Sequence, residues 1–160
     1  MNSPANDTTG QWTRWVSTAC GGTALFVGVL VLAGWLFQVP ALKSILPGLV
    51  SMKPNTALAF VLAGLALVLL SGTPVSPRLP APQDELARQA GRAHAGQVFA
   101  LLVALIGGLT LCEYLFSWQL GIDELLFKDD PNAAATLSPG RMAPSTAVNF
   151  LLLGLALVGI

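Results

Sequence analysis

The sequence has little charge and few of the residues that carry covalent chemistry. Only 10% of its 160 residues are charged, with eight Lys plus Arg against eight Asp plus Glu, and it contains one histidine and two cysteines. Soluble globular domains carry about 25% charged residues, so water is an unexpected solvent for this chain. Because the charges balance, no basic field is present to recruit nucleic acid. We therefore expect no nucleic-acid partner.

These few residues do not combine into a predicted catalytic or metal-binding set. Cys20 and Cys112 lack histidine or carboxylate company at ligand spacing, and His94 lies in a polar segment. A phosphoacceptor histidine is typically followed by an acid, whereas Ala95 and Gly96 follow His94. No Ser-His-Asp set, carboxylate pair or phosphate-cradling glycine loop is evident. We expect no catalytic residue, cofactor or metal site here.

The sequence is instead rich in long apolar runs. Hydrophobic residues make up 54% of the chain, and the mean hydropathy is +0.68. An α-helix needs about 20 apolar residues to cross a bilayer. Four runs predict transmembrane helices at residues 15–37, 54–70, 96–116 and 144–160. The predicted fold class is all-α integral membrane, with the lipid bilayer as the surroundings.

The segments between these runs are short and polar. We predict a tail at 1–14, a first helical hairpin at 15–70, a connector at 71–95 and a second hairpin at 96–160. Pro54 and Pro144 suit the first position of a helix, where a missing N–H breaks no hydrogen bond. The last run is still apolar at Ile160, so we expect the chain to be cut in or just after this span. Short amphipathic helices are predicted at 41–46, 84–92 and 123–127.

An internal repeat is the most specific feature. Residues 52–68 and 142–158 align at a constant offset of 90, with 11 of 17 positions identical. The shared Met-x-Pro-x-Thr-Ala-x-x-Phe is too specific for a chance match between apolar helices. Trp35-Leu36-Phe37 matches Tyr114-Leu115-Phe116 more faintly, so the predicted repeated unit is helix, loop, helix. Two parallel copies imply a pseudo-twofold axis along the bilayer normal.

The repeats carry a resemblance to a known family. Residues 46–57, 120–127 and 139–147 resemble the N-terminal membrane sensor region of bacterial PAS-containing sensor histidine kinases and diguanylate cyclases, and the likeness covers roughly residues 20–160. The resemblance implies a four-helix input module of the bacterial inner membrane, with both termini cytoplasmic and with PAS and transmitter domains following it. It also implies a homodimer, since transmitter domains work as dimers. Family members often have asparagine in both motifs, whereas Asn55 is matched here by Ser145.

Five polar residues in or beside the spans are candidates for a sensing site. For Glu113, at the end of a span, an interfacial anchor is favoured because snorkelling lowers the cost of its charge; a buried sensing role and a polar packing pair are the alternatives. For Asn149, an interhelical hydrogen bond is favoured over ligand binding. For Thr56 and Thr146, capping of their own helices is favoured over facing a common outer cavity. Asn55 completes the set.

Small residues at four-residue spacing predict helix contacts, because close backbone approach drives helix association in lipid. Gly28 and Gly108 belong to such runs. Gly64 and Gly154 occupy equivalent repeat positions and are predicted to mark where the two hairpins cross.

The sequence favours a membrane sensory input domain that converts an event in the bilayer or at its outer face into displacement of the fourth helix. A small apolar or amphipathic ligand is one possible stimulus. A small non-catalytic membrane subunit or scaffold is the alternative from another class. A transporter or channel fragment is disfavoured because no predicted span holds a charge in its interior. Lysine and arginine divide evenly between the two sides, so the charge count leaves the orientation open.

Overall fold

The computed structural model describes residues 5–44, 51–72, 82–128 and 140–160. Within these ranges the chain forms α-helices and no strand, which confirms the all-helical prediction. The helices are α1 (Ala5–Leu36), α2 (Pro40–Lys43), α3 (Pro54–Ser71), α4 (Gln83–Phe116) and α5 (Pro144–Val158).

Three helices are long and apolar enough to cross a membrane: the Gly10–Leu36 part of α1, α3, and α4. The helix α5 is also apolar, but its 15 residues reach only roughly 22 Å at about 1.5 Å per residue. A span usually needs about 20 residues. The structure thus supports a membrane protein with three span-length helices, and the run at 144–160 forms a shorter apolar helix.

The three segments predicted as short amphipathic helices differ in the structure that they form. The single turn α2 lies within the segment predicted at 41–46, of which residues 45 and 46 are outside the described residues. Residues 84–92 are not a separate helix, because α4 already begins at Gln83 and continues without a break into the apolar run. Residues 123–127 form turns and bends, so the helix predicted there is wrong. The structure fixes this segment by side-chain bonds to other elements, as described below.

The helices associate as two pairs. α1 packs along α3, and α4 packs along α5, while α3 also packs against α4 and, less extensively, against α5. The last turns of α1 and α4 lie beside the first turns of α3 and α5, and we call this the loop end of the bundle. The opposite end, where Leu70 of α3 packs with Ala100 and Leu157, is the connector end. Helix α3 therefore joins the two pairs.

Gly64 and Gly154 lie within the helix pairs, not between them. A Cβ atom on Gly64 would fall 2.5 Å from the carbonyl oxygen of Gly21 in α1. A Cβ atom on Gly154 would fall 2.5 Å from the backbone nitrogen of Ala104 in α4. The prediction that these glycines mark a crossing of the two hairpins is wrong, because each permits close backbone approach inside its own pair.

The glycines of the first helix in each pair make a matching contact. A Cβ atom on Gly28 would lie 2.7 Å from the carbonyl oxygen of Ala57, and one on Gly107 would lie 2.6 Å from that of Ala147. Gly108, the predicted packing residue, has its nearest such neighbour at 3.7 Å, in the side chain of Leu151. The close contact is therefore one residue earlier than the spacing indicated.

Adjacent glycines provide a matched pair of variants. We expect Gly107→Ala to lower the free energy of unfolding by about 1 to 3 kcal/mol, because its methyl group would overlap the backbone of α5. Gly108→Ala should be neutral or slightly stabilising, since alanine is the better helix former by up to about 1 kcal/mol. Thermal unfolding of the purified protein in detergent, followed by circular dichroism, measures both. Equal stabilities of the two variants would contradict the assignment of Gly107 to the close contact between α4 and α5.

Candidate functional site

Glu113 is buried at the loop end. It lies in the last turn of α4, and its side chain is 0% exposed. Ser117, in the left-handed conformation at φ 53°, ends α4 and turns the chain back. The backbone N–H of Leu120 then donates to Glu113 Oε1 at 2.9 Å. The favoured interpretation of Glu113 as a snorkelling anchor is wrong, because its carboxylate points into the protein.

Arg141 connects this carboxylate to the following loop. Its Nε donates to Asp123 Oδ2 at 2.6 Å and lies 3.5 Å from Glu113 Oε2. A second guanidinium nitrogen donates to the carbonyl of Trp118 at 3.3 Å. The preceding Gly140 has a positive φ of 73° and lies against the backbone of Asp123. We call Glu113, Asp123 and Arg141 the charged cluster.

The charged cluster contains two acids and one base, and all three are largely removed from solvent. The side chains of Glu113, Asp123 and Arg141 are 0%, 9% and 12% exposed. Burial lowers the pKa of Arg141, but the hydrogen bond and charge of Asp123 together with Glu113 outweigh it, so the pKa lies above its usual value. The guanidinium therefore stays charged.

Three polar atoms at and near the charged cluster are buried without a hydrogen-bond partner in the described structure: Glu113 Oε2, Asp123 Oδ1 and Thr110 Oγ1. Thr110 is three residues before Glu113, on the same side of α4. Buried polar atoms are nearly always hydrogen-bonded, so this concentration of unpaired oxygens marks an unusual site.

Asn55 ties the other helix pair to the same loop. Its side-chain Nδ2 donates to the carbonyl oxygen of Ile122 at 2.9 Å, and the residue is 6% exposed. Ile122 adjoins Asp123, so the first turn of α3 holds the segment that pairs with Arg141. Ser145, the repeat counterpart of Asn55, is exposed. The asymmetry seen in the sequence thus corresponds to different surroundings.

The remaining predicted candidates do not join the charged cluster. Asn149 is exposed on α5, so within one chain it does not form the interhelical bond expected of it. Thr56 is buried and Thr146 half-buried, each at the third position of its helix. The N-caps are Lys53 and Ala143, and neither caps through its side chain, so the threonines are not the N-cap residues.

One hydrogen bond recurs in the two helix pairs. Trp35 near the end of α1 donates from Nε1 to the carbonyl of Met52 at 2.9 Å. Tyr114 near the end of α4 donates from its hydroxyl to the carbonyl of Met142, also at 2.9 Å. In each pair an aromatic side chain thus fixes the methionine that precedes the second helix.

Each of these aromatic rings also contacts a cation. Lys43 Nζ lies 4.3 Å from the centroid of the Trp35 ring, and Arg141 Cζ lies 5.3 Å from that of Tyr114. Lys43 Nζ also donates to the amide oxygen of Gln38 at 2.8 Å. The two cations therefore have similar aromatic neighbours but different polar partners.

The sequence did not predict the pairing of Glu113 with Asp123 and Arg141. These residues are 10 and 28 positions from Glu113, beyond any helical spacing. One available signal was the free-energy cost of burying an acid, which favours a cationic partner. Arg141, which directly precedes the second repeat motif, was a candidate for that partner.

No protein family, curated protein or solved structure matches this chain. Among the described residues, no group of three His, Cys, Asp or Glu side chains is placed to hold a metal ion.

Removing the guanidinium tests the energetic role of the charged cluster. We expect Arg141→Met to lower the free energy of unfolding by about 3 to 5 kcal/mol, because it leaves the buried acids Glu113 and Asp123 without a counter-charge. Arg88→Met is the control, since Arg88 is exposed near the start of α4 and should change stability by less than about 0.5 kcal/mol. Thermal unfolding in detergent gives both values. A loss no larger for Arg141 than for Arg88 would show that the cluster does not stabilise the bundle.

Proposed function

We propose that this chain is a membrane sensory input domain of a bacterial signal-transduction protein of the two-component sensor kinase type. The observation that carries the proposal is the position of the charged cluster at the start of α5. Arg141 bonds the loop and approaches α4, and only Met142 and Ala143 separate it from the helix. A movement of the loop that contains Asp123 therefore acts on the start of α5, and the other end of α5 lies at the connector end.

The contacts of α5 suit a helix that moves. Its buried residues are Ala147, Phe150, Gly154 and Leu157, which form one face, and the glycine brings its backbone against α4. Small sliding movements of packed helices are an established form of conformational switching. A switch also needs two packings that differ by only a few kcal/mol, biased by the stimulus. The proposed output is displacement of α5 relative to α4.

Equivalent contacts in the two helix pairs support a duplicated hairpin with four spans, in which α5 is part of the fourth. The pairs Gly28 and Gly107, Trp35 and Tyr114, and Gln38 and Ser117 are all 79 residues apart. The two glycines bring their helix backbones similarly close to the second helix of the pair, and the two aromatic residues each donate a hydrogen bond to a methionine carbonyl. Gln38 and Ser117 both have a positive φ, of 56° and 53°.

The second helices of the two pairs also meet at equivalent residues. Phe60 and Phe150, which occupy the same repeat position, pack edge to face with ring centroids 5.3 Å apart. Contact between equivalent residues is expected next to a twofold axis. This contact supports the proposed pseudo-twofold axis.

We further propose that the domain works as a homodimer in the inner membrane, with both termini in the cytoplasm. The exposed amide of Asn149 supports this proposal, because polar side chains in membrane helices hydrogen-bond across helix interfaces. An amide both donates and accepts, so Asn149 of one copy is a suitable partner for Asn149 of another.

Cysteine labelling tests the proposed topology. In a chain with Cys20 and Cys112 replaced by alanine, single cysteines are placed at Phe37, Leu125 and Arg88, all of which are exposed. We expect a membrane-impermeant maleimide to label Phe37→Cys and Leu125→Cys in intact spheroplasts, and Arg88→Cys only after lysis. Labelling of positions 37 and 125 from opposite sides would exclude parallel hairpins.

Signalling is tested in the intact gene product. A reading frame that continues past Ile160 into PAS, kinase or cyclase sequence is expected, and an immediate stop codon would instead favour a non-catalytic membrane subunit.

In membranes containing the intact protein, Glu113→Gln and Asn149→Leu should change autophosphorylation or cyclase activity several-fold without altering insertion. Glu85→Gln, on the exposed first turn of α4, is the control. Wild-type output from both test variants would contradict the proposal.

A further inference from the structure

The two acids of the charged cluster share one base. A single nitrogen, Arg141 Nε, lies 2.6 Å from an oxygen of Asp123 and 3.5 Å from an oxygen of Glu113. The other oxygen of Asp123 and this same oxygen of Glu113 lack hydrogen-bond donors among the described residues. The second oxygen of Glu113 accepts the Leu120 N–H, so the donors present do not satisfy both carboxylates.

Among the described residues, the neighbouring groups do not supply Glu113 with the missing charge. The ionisable side chains that act on Glu113 are Asp123 of the loop and Arg141 ahead of α5. From α4 itself comes Tyr114, which is neutral unless strongly alkaline conditions ionise it. From α3 comes Lys53, buried at its N-cap, whose charge is not among those acting on Glu113. With both acids ionised, the charged cluster therefore has one negative charge in excess.

Burial makes this excess costly. A carboxylate without a counter-charge in a site closed to water loses its hydration and has no compensating bond. Two adjacent carboxylates also repel each other, and such pairs commonly retain one proton between them. A proton on either acid removes the excess charge. It also creates an O–H donor for the neighbouring carboxylate oxygen.

We propose that Glu113 and Asp123 form a proton-binding site that holds one proton per chain and that closes residues 117–128 onto α4. In the protonated state one acid donates its O–H to the other, and Arg141 neutralises the remaining carboxylate. When the proton leaves to water, both carboxylates are charged and repel. Asp123 then moves away from α4 with its loop, and the Leu120 bond to Glu113 is weakened.

This site would make the proton the stimulus of the sensory domain, and that consequence rests on the proposed function. Proton binding itself does not, because it follows from the charged cluster alone. Release of the proton at rising pH would free the loop that holds Arg141 and so the start of α5. The closed state belongs to low pH and the open state to high pH.

Infrared spectroscopy of the full chain in lipid nanodiscs detects the proton directly, since a carboxylic acid has a C=O stretch distinct from that of a carboxylate. We expect this band at neutral pH and expect it to disappear as the pH is raised. Glu113→Gln and Asp123→Asn should each abolish it, because either variant leaves a single acid with Arg141 as its counter-charge. Glu85→Gln should leave it unchanged.

The two single variants distinguish a proton shared by both acids from a proton held by Glu113 alone. A band that survives in Asp123→Asn would show a lone protonated Glu113 and overturn the shared site, as would the absence of any band in the wild type. Circular dichroism identifies variants that fail to fold. If a variant fails to fold, proton binding is tested instead in the wild-type chain by hydrogen exchange.

Hydrogen exchange of residues 117–128, corrected for its intrinsic pH dependence, measures opening of the loop. Below the titration midpoint, opening should increase about tenfold per pH unit, the slope for release of one proton, and it should level off above the midpoint. A flat profile would contradict the proposal. A pH-dependent band with a pH-insensitive output of the intact protein would instead refute the sensory role and leave the proton site in place.

Discussion

The arrangement of the loop end depends on one half-buried guanidinium. Arg141 lies in the short segment before α5, bonds Asp123 and Trp118 in the loop, and approaches Glu113 on α4. In a bilayer, polar groups that lose water must find partners inside the protein. Arg141 and its partners come from three separate segments, so their bonds also fix how α4, the loop and the start of α5 are placed. The loop forms turns rather than the predicted amphipathic helix because these long-range bonds, with the positive φ of Gly121 and Gly140, determine its path.

Close backbone contact is the second constraint, and it acts along the length of each helix pair. Lipid tails are as apolar as leucine, so burial of leucine alone gives little preference for helix contact over lipid contact. Gly28, Gly64, Gly107 and Gly154 instead allow backbone atoms of the paired helices to approach to distances that a Cβ atom would prevent. These contacts hold α1 to α3 and α4 to α5. Larger side chains, including Phe60 and Phe150, then fill the space between the pairs.

The sequence predicted the features that depend on local composition and repetition. The bounds of α3, its proline start and the matching start of α5 followed from apolar runs and from the repeated motif. The spacing of small residues did not identify the glycine that faces α5, because Gly107 and Gly108 are adjacent and only Gly107 makes the close backbone contact. The site was harder still. Glu113 and Asn55 were recognised as polar residues in unusual places, but their partners Arg141 and Ile122 lie 28 and 67 positions away, and no periodicity links them.

Comparison of the two pairs shows where the loop ends differ. Both have an aromatic donor to a methionine carbonyl and a cation beside the aromatic ring. In the first pair the cation is Lys43, whose described polar partner is the neutral amide of Gln38. In the second it is Arg141, which contacts two acids. A lysine and an amide involve no competition between charges, whereas two acids around one arginine have more than one protonation state. If the pairs arose from one hairpin, as proposed, the shared contacts preserve the scaffold and the change of polar partners places the responsive chemistry in the second copy, beside the start of α5.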